Sequence, residues 1–575
     1  MRAMLAAKRV SLRFVRIAHH HLLVAKIGRN QICPLCDSGL KYKHCCGSHA
    51  HPPDAGVSPQ SEDVQRHLAL AVARHNAREH QRRLMQGLGR PIVSFTFHGY
   101  RFVAVGPTLF YGKTWQTFPD LLDHYLKEAM ARSWGMAEQA KPAASRHPLL
   151  RWNQKVGEFQ KANAATNRDG ICSANATGAV RAYFGLAYDL YLCAHNAKLP
   201  DRLIRRLRNM QQFEGALYEA FVIGCFAKAG FTIEFEDEAD ATASHCEFTA
   251  TDNATKRKFS VEAKTVYTTS KRSGASTERP RLRGYLAEAL RKDAAHPRIV
   301  FIELSRAHVL DELGQPEWLA YMKEQIEAAE AEMTINDQPA PPAYLFVTNR
   351  PFIHDLDREG PGEMYMAVGF RIPDFPPGKS PGTVLEMYRA RERHIEVYRL
   401  LKAIDSHRQV PLTFDDSLPE ETFAPSRPAR LLVGESYEVE GPGGVVRATL
   451  IDALVIEPKS EAMCTYRAPD GTTFHASAPL SREEMTIYRS SPGTFFGVLQ
   501  HIPKGIHTPL DAFDFAFATY SKSTRETLLQ FMANWPDIEQ LRKLSQRDLA
   551  EQYCAYLATA MWMQIEGGKT DLAHT

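Results

Sequence analysis

The spacing of hydrophobic positions changes several times along the chain, and each change predicts a different kind of element. Ser61-Glu62-Asp63 opens a helix expected to run to about Leu88. In GRPIVSFTFHGYRFVAVGPTLFYG (89–112) apolar and polar residues alternate between glycines, which predicts a small antiparallel sheet. Residues 117–200 carry apolar positions at helical spacing, such as Leu121, Leu122, Tyr125 and Leu126. From 201 to 355 the order reads helix, strand, strand, helix, strand, helix, strand, closing with RIVFIEL (298–304) and AYLFVTN (343–349). A Pro- and Gly-rich stretch (373–382) leads to a charged helix around 385–404, and alternation returns in 429–456 with a turn at Asp470-Gly471. The last 70 residues read as helical, with capping boxes at Ser523…Glu526 and Ser545…Asp548.

These shifts predict a multidomain protein of α+β and α/β class. A basic extension (1–26) precedes a cysteine-rich segment (27–48) and a linker (49–62). A mostly helical region with a small sheet (63–200) leads into an α/β core (201–355). An irregular and helical connection (356–425), a small β domain (426–490) and a helical end (491–575) complete the order. A length of 575 residues agrees with two to four domains.

Composition adds little until it is resolved by position. The net charge is only +4, yet residues 1–50 hold nine Lys or Arg against the single acid Asp37, and residues 255–292 hold eleven against three. No apolar run approaches the length of a membrane span, so membrane partners are not expected. Arg13 and Arg16 interrupt the apolar positions of the basic extension, and no small-residue cleavage site follows, which argues against a secretory signal. There is no glycine-rich phosphate loop and no GxSxG elbow, so nucleotide-hydrolase and serine-hydrolase readings lack their signals.

Four of the ten cysteines, Cys33, Cys36, Cys45 and Cys46, fall within GRNQICPLCDSGLKYKHCCG (28–47). Four thiolates this close complete a tetrahedral zinc shell with no open position, the mark of a structural site. Without a secretory signal, zinc in a reducing cytoplasm is expected rather than disulfides. On Gly28-Arg29-Asn30, Ser38-Gly39, Lys41-Tyr42-Lys43 and Cys45-Cys46-Gly47 the segment resembles the SEC-C motif, a small zinc knuckle. The spacing of Cys33 and Cys36 departs from it, since the family usually has one residue between its first two cysteines. The resemblance implies docking to a protein or a nucleic acid.

The stretch ASHCEFTATDNATKRKFSVEAKT (243–265) carries the second candidate site. On a strand, Phe259, Val261 and Ala263 face one side, while Ser260, Glu262 and Lys264 face the other. Glu247 opens the preceding strand, and a turn at Asp252-Asn253-Ala254-Thr255 pairs the two, so that Glu247 and Glu262 converge. Two carboxylates suit a magnesium or manganese ion, and an adjacent lysine suits the charge that develops on a phosphate. On a bare hairpin the same residues form only an exposed ion pair. Upstream, an apolar helix (about 212–229) carries Glu219 on a face where an unpaired carboxylate is costly, with a metal or Lys264 as its expected partner. The other reading places Glu219 on a solvent-facing helix surface.

A helix that enters a strand after Gly230, followed by this hairpin, resembles the restriction-endonuclease-like, or PD-(D/E)xK, nuclease core of the Mrr type. The resemblance implies that Glu219 is the helix acid, Glu247 the first-strand acid, and Glu262 with Lys264 the (D/E)xK pair. Glu247 stands where the family usually has aspartate, and Cys246 where it has proline. On stretches such as GYRFVAVG, TGAVRAYFGLAYDLYL, HCEFTA, SVEAK and VPLTFDDSLPE, most of residues 27–560 resembles bacterial proteins that join a SEC-C knuckle to such a core. That resemblance identifies relatives rather than an activity. The expectation is a cytoplasmic, magnesium- or manganese-dependent nuclease acting on DNA ahead of RNA, in a restriction or defence setting. The alternative is an inactive adaptor that docks through its zinc knuckle. Lys271, Arg272, Arg279, Arg281, Arg283, Arg291 and Lys292 would track a phosphate backbone or form a solvated face.

Overall fold

The computed structural model describes residues 59–164, 171, 174–235, 246–266, 282–312, 314–360, 362–376, 382–406, 409–415, 417–423, 430–441, 443–500 and 505–572. The basic extension, the cysteine segment and most of the first linker lie outside these residues, as do Lys271, Arg272, Arg279 and Arg281. Contacts divide the chain into two units, residues 1–71 and 72–575, and the second carries the sheets. The protein is a mixed α and β structure.

A six-stranded sheet forms the centre of the second unit. Its strands are β1 (Phe231–Phe235), β2 (Phe248–Asp252), β3 (Lys258–Thr265), β4 (Arg298–Glu303), β5 (Ala343–Asn349) and β6 (Met364–Phe370). They lie in the order β6-β5-β4-β3-β2-β1. β1, β2 and β3 form an antiparallel meander, β3, β4 and β5 run parallel, and β6 closes the edge antiparallel. The meander has one strand more than the alternation along 201–355 suggested. The sheet also passes residue 355 through β6.

The helices that position the candidate site are α1 (Gly178–Asn196), α2 (Asp201–Arg208), α3 (Phe213–Lys228), α4 (Leu282–Arg291) and α5 (Trp318–Glu332). From Ala216 to Lys228 every residue of α3 is buried. A helix apolar around its whole circumference has no solvent face to offer, and α3 packs between α1 and the sheet. Gly224 makes the close approach to α1 feasible, because a β-carbon there would stand 2.3 Å from Asp189 Oδ1. Gly230 ends the helix with φ +82, a conformation open to glycine at little cost, and the chain turns into β1. On this side of the sheet Phe226 packs edge-on against Phe231 and Phe248, and Phe301 stacks on Phe346. On the other side Leu282, Leu286 and Leu290 of α4 and Trp318 and Met322 of α5 cover Val300, Ile302, Leu345 and Val347.

The peripheral elements follow the hydrophobic spacing closely. A three-stranded sheet spans Val93–Phe97, Tyr100–Val105 and Thr108–Gly112. A four-stranded antiparallel sheet spans Ser436–Gly441, Gly444–Ile456, Glu461–Arg467 and Thr473–Pro479. Asp470 accepts hydrogen bonds from the Thr472 amide and hydroxyl at the expected turn. Ser545 caps the last helix by accepting from the Asp548 amide at 3.2 Å. The box expected at Ser523 is displaced by one residue: Thr524 is the cap and accepts from the Thr527 amide. A hydroxyl one position later meets the first free amides equally well, and sequence spacing does not distinguish the two.

Candidate active site

Glu219 is only 1% exposed, so the solvent-facing reading of this residue is excluded. Its side-chain partners are two arginines, and not Lys264. Arg206 of α2 donates to Glu219 Oε2, and Arg202 lies 3.9 Å from Oε1. The preceding helix, DRLIRRLR, buries Leu203, Ile204 and Leu207, and it presents Arg202 and Arg206, one turn apart, to α3. Arg202 also donates to the backbone carbonyl of Glu247 at 3.2 Å, which ties the helix acid to the start of β2.

The alternation expected in β3 is realised. Phe259 and Val261 join the core beneath α3, with Ala263 packed against it, while Glu262 and Lys264 lie on the opposite face. Glu262 is 1% exposed, and its Oε2 has no hydrogen-bond donor. Its other oxygen, Oε1, is held by two ammonium groups. Lys264 Nζ stands 3.1 Å from Oε1 and Lys292 Nζ stands 2.8 Å from the same atom. Lys292 also lies 3.8 Å from Glu247 Oε1, so one ammonium bridges the two carboxylates that the hairpin was expected to bring together. Lys264 reaches Glu288 of α4 at 4.0 Å.

Lys292 is the residue that sequence reasoning underrated. It appeared only as one member of a basic run, without a role inside the site. It follows α4 directly, and the return of that crossover over the sheet brings it above Glu262. The nearest signal in the sequence is its place at a helix end just before the Arg298–Glu303 strand. Arg283, from the same run, pairs with Glu332 at the surface.

The electrostatics follow from burying Glu219 and Glu262, and half-burying Glu247, near four cations. Burial, then the charge of Glu247, pushes the Glu219 carboxyl up to about 7 against the pull of Arg206 and Arg202. Burial and Glu247 likewise raise Glu262 above the usual carboxylate range, against Lys292 and Lys264. Burial works to lower Lys292, but the charges of Glu262 and Glu247 outweigh it and hold the ammonium above its usual range. The charge of Glu247 thus acts on both buried carboxyls.

Such a set fits a divalent cation in one respect. Glu262 presents a buried oxygen, Oε2, without a donor, close to a second carboxylate, and a hard cation is bound by oxygen ligands of this kind. Among the described residues no group of three or more His, Cys, Asp or Glu side chains is placed to hold a metal ion. The candidate ligands are thus the pair Glu247 and Glu262, with Glu219 held apart by its arginines. Other candidates are structural. Cys225 is buried and its thiol is pushed up to about 12 by burial, which keeps it inert. Cys246 is buried in the same way. His394 is enclosed between Tyr344 and Asp374, at 2.8 and 2.9 Å.

Zinc ligation by Cys33, Cys36, Cys45 and Cys46 falls outside the described residues. No helix among the described residues is long and apolar enough to cross a membrane. No curated protein matches the chain, and no solved structure does. One family model matches, that of the SEC-C motif, over residues 29–48, so this segment is similar to a possible zinc-binding motif.

Proposed function

We propose that the protein is a metal-dependent nuclease whose site is built from Glu219, Glu247, Glu262 and Lys264. The observation that carries this reading is the buried Glu262, with Oε2 lacking a donor, close to Glu247 and Lys264 on a meander followed by a parallel strand. A helix entering a strand after Gly230, followed by the hairpin of β2 and β3, is the order on which the PD-(D/E)xK resemblance rests, and here a crossover helix and a parallel fourth strand follow it. Glu247 and Glu262 would hold magnesium or manganese. The chemistry such an ion supplies is charge neutralisation at phosphate oxygens and a more acidic attacking water. Lys264 projects beside Glu262 and orients the water by donating from Nζ. Glu219, fixed by Arg206, accepts a proton once it is ionised.

The test is cleavage of plasmid DNA, single-stranded DNA and RNA with magnesium or manganese, by wild type and Lys264→Ala. Wild type is expected to cleave, and the variant to lose about 100-fold or more. The rate is expected to rise as pH increases through about 7, where Glu219 gives up its proton. Because the folded state raises this carboxyl, it binds more protons than the unfolded chain over the same window. Stability therefore falls as pH rises towards 7. Full cleavage by Lys264→Ala with its fold intact would remove the mechanism.

One observation favours a second reading. Lys292 lies against both Glu262 and Glu247, at 2.8 and 3.8 Å, where it would compete with a metal ion, as in a non-catalytic adaptor that keeps the fold. Wild type that binds nucleic acid or a protein partner but cleaves nothing would establish that reading. The cysteine segment is proposed to hold one structural zinc and to serve docking. Elemental analysis is expected to find one zinc per chain, reduced in Cys33→Ser/Cys36→Ser; a zinc-free wild type purified without chelator would refute it.

A further inference from the structure

The three-stranded sheet formed by residues 93–112 has one covered face and one bare face. Val103 and Val105 point into the core, with Phe110 against Tyr125. The register places Val93 opposite Ala104, Phe95 opposite Phe102, Phe97 opposite Tyr100, and Phe102 opposite Tyr111. With side chains alternating, all of these share the other face. There Phe95 is 53% exposed, Phe97 59% and Tyr111 62%. The rings form one continuous array across the three strands. Phe95 and Phe102 stack at 5.0 Å with planes 9° apart, Phe102 meets Tyr111 at 5.8 Å, and Tyr111 meets Tyr100 at 6.1 Å. Lys113 Nζ sits over the Tyr100 ring, 4.8 Å from its centroid.

Charge identifies the occupant. Residues 80–119 contain no Asp or Glu, and Lys113, over Tyr100, is the cation at this face; Arg82 and Arg83 are taken up by Glu79, and Arg101 lies over Phe414 on the covered side. A second copy laid face to face would set this carboxylate-free surface against itself. A polyanion with exposed planar bases matches both features, since bases stack on aromatic rings while cations meet the phosphates. We infer that the aromatic face of residues 93–112 binds single-stranded nucleic acid by base stacking, at a site separate from the carboxylates and independent of whether these cut.

The experiment is fluorescence anisotropy of the full-length protein with labelled 15-mers of oligo(dT) and oligo(rU), in EDTA to suppress cleavage. Phe95→Ala and Tyr111→Ala are each expected to weaken binding by about 5- to 100-fold. Phe95→Trp should retain affinity, and thermal unfolding should be unchanged because both rings are exposed. A duplex of equal length should respond little to either substitution. Three outcomes would overturn the inference: no binding of either oligonucleotide by wild type, equal affinity in both alanine variants, or a concentration-dependent dimer that Phe95→Ala abolishes.

Discussion

Glu262→Gln is expected to lower metal-dependent cleavage by about 100- to 1,000-fold while leaving the protein folded. The substitution keeps the shape of the side chain and removes its charge. Burial and Glu247 disfavour the ionised form of this carboxylate, against Lys292 and Lys264. Neutral glutamine relieves that repulsion, and Lys292 keeps Glu247 as a neighbour at 3.8 Å. Thermal stability at pH 8 is therefore expected to hold or rise slightly. On the proposed mechanism, what is lost is the negative charge that would bind a cation beside Lys264 and Lys292, whose own charges would then repel it. The comparison to make is single-turnover cleavage across a magnesium titration, with thermal unfolding of the same samples. Unchanged cleavage in a well-folded Glu262→Gln would take this residue out of the mechanism.

Glu303→Ala is expected to destabilise the protein by about 3–5 kcal/mol, the scale for breaking a buried ion pair from one side. Glu303 ends β4 and is 1% exposed. It accepts from Thr348 Oγ1 at 2.6 Å, the Arg350 amide at 2.9 Å and the Ser305 amide at 3.3 Å, and its Oε2 lies 3.4 Å from Arg350 Nε. One carboxylate thereby joins the carboxyl ends of two parallel strands. Arg350 is buried too, with its guanidinium 4.9 Å from the Phe221 ring centre and 5.2 Å from that of Tyr218. Alanine at 303 would leave this cation enclosed among aromatic rings without its acid. Adding Arg350→Met to Glu303→Ala is expected to recover part of the loss, because it removes the stranded charge. Urea unfolding of the three variants measures this. A single-variant loss under about 1 kcal/mol, or a double variant less stable than the sum of the single ones, would contradict the assignment.

Much of the site was legible before any fold was known. Period-two alternation in KFSVEAKT is enough to put Glu262 and Lys264 on one face, since a strand has only two sides. The apolar run around Glu219 is enough to bury it. The turn at Asp252 was legible too, although its second anchor was not: Arg399 donates to both Asp252 carboxylate oxygens at 2.7 Å. Such a partner lies far along the chain, and no local pattern specifies it.

By itself, then, the sequence determined the strands, the helices and the face on which each chemical group lies, because these depend on neighbours within one or two turns. Only the tertiary structure decided which charges meet. Arg206 rather than Lys264 holds Glu219, Lys292 bridges Glu247 and Glu262, and Glu303 fastens Arg350. Alternation likewise announced the sheet at residues 93–112, while packing decided that its aromatic face stays bare. The physical reason is the same in each case: local periodicity sets a side chain's direction, but the path of the crossovers sets what it faces.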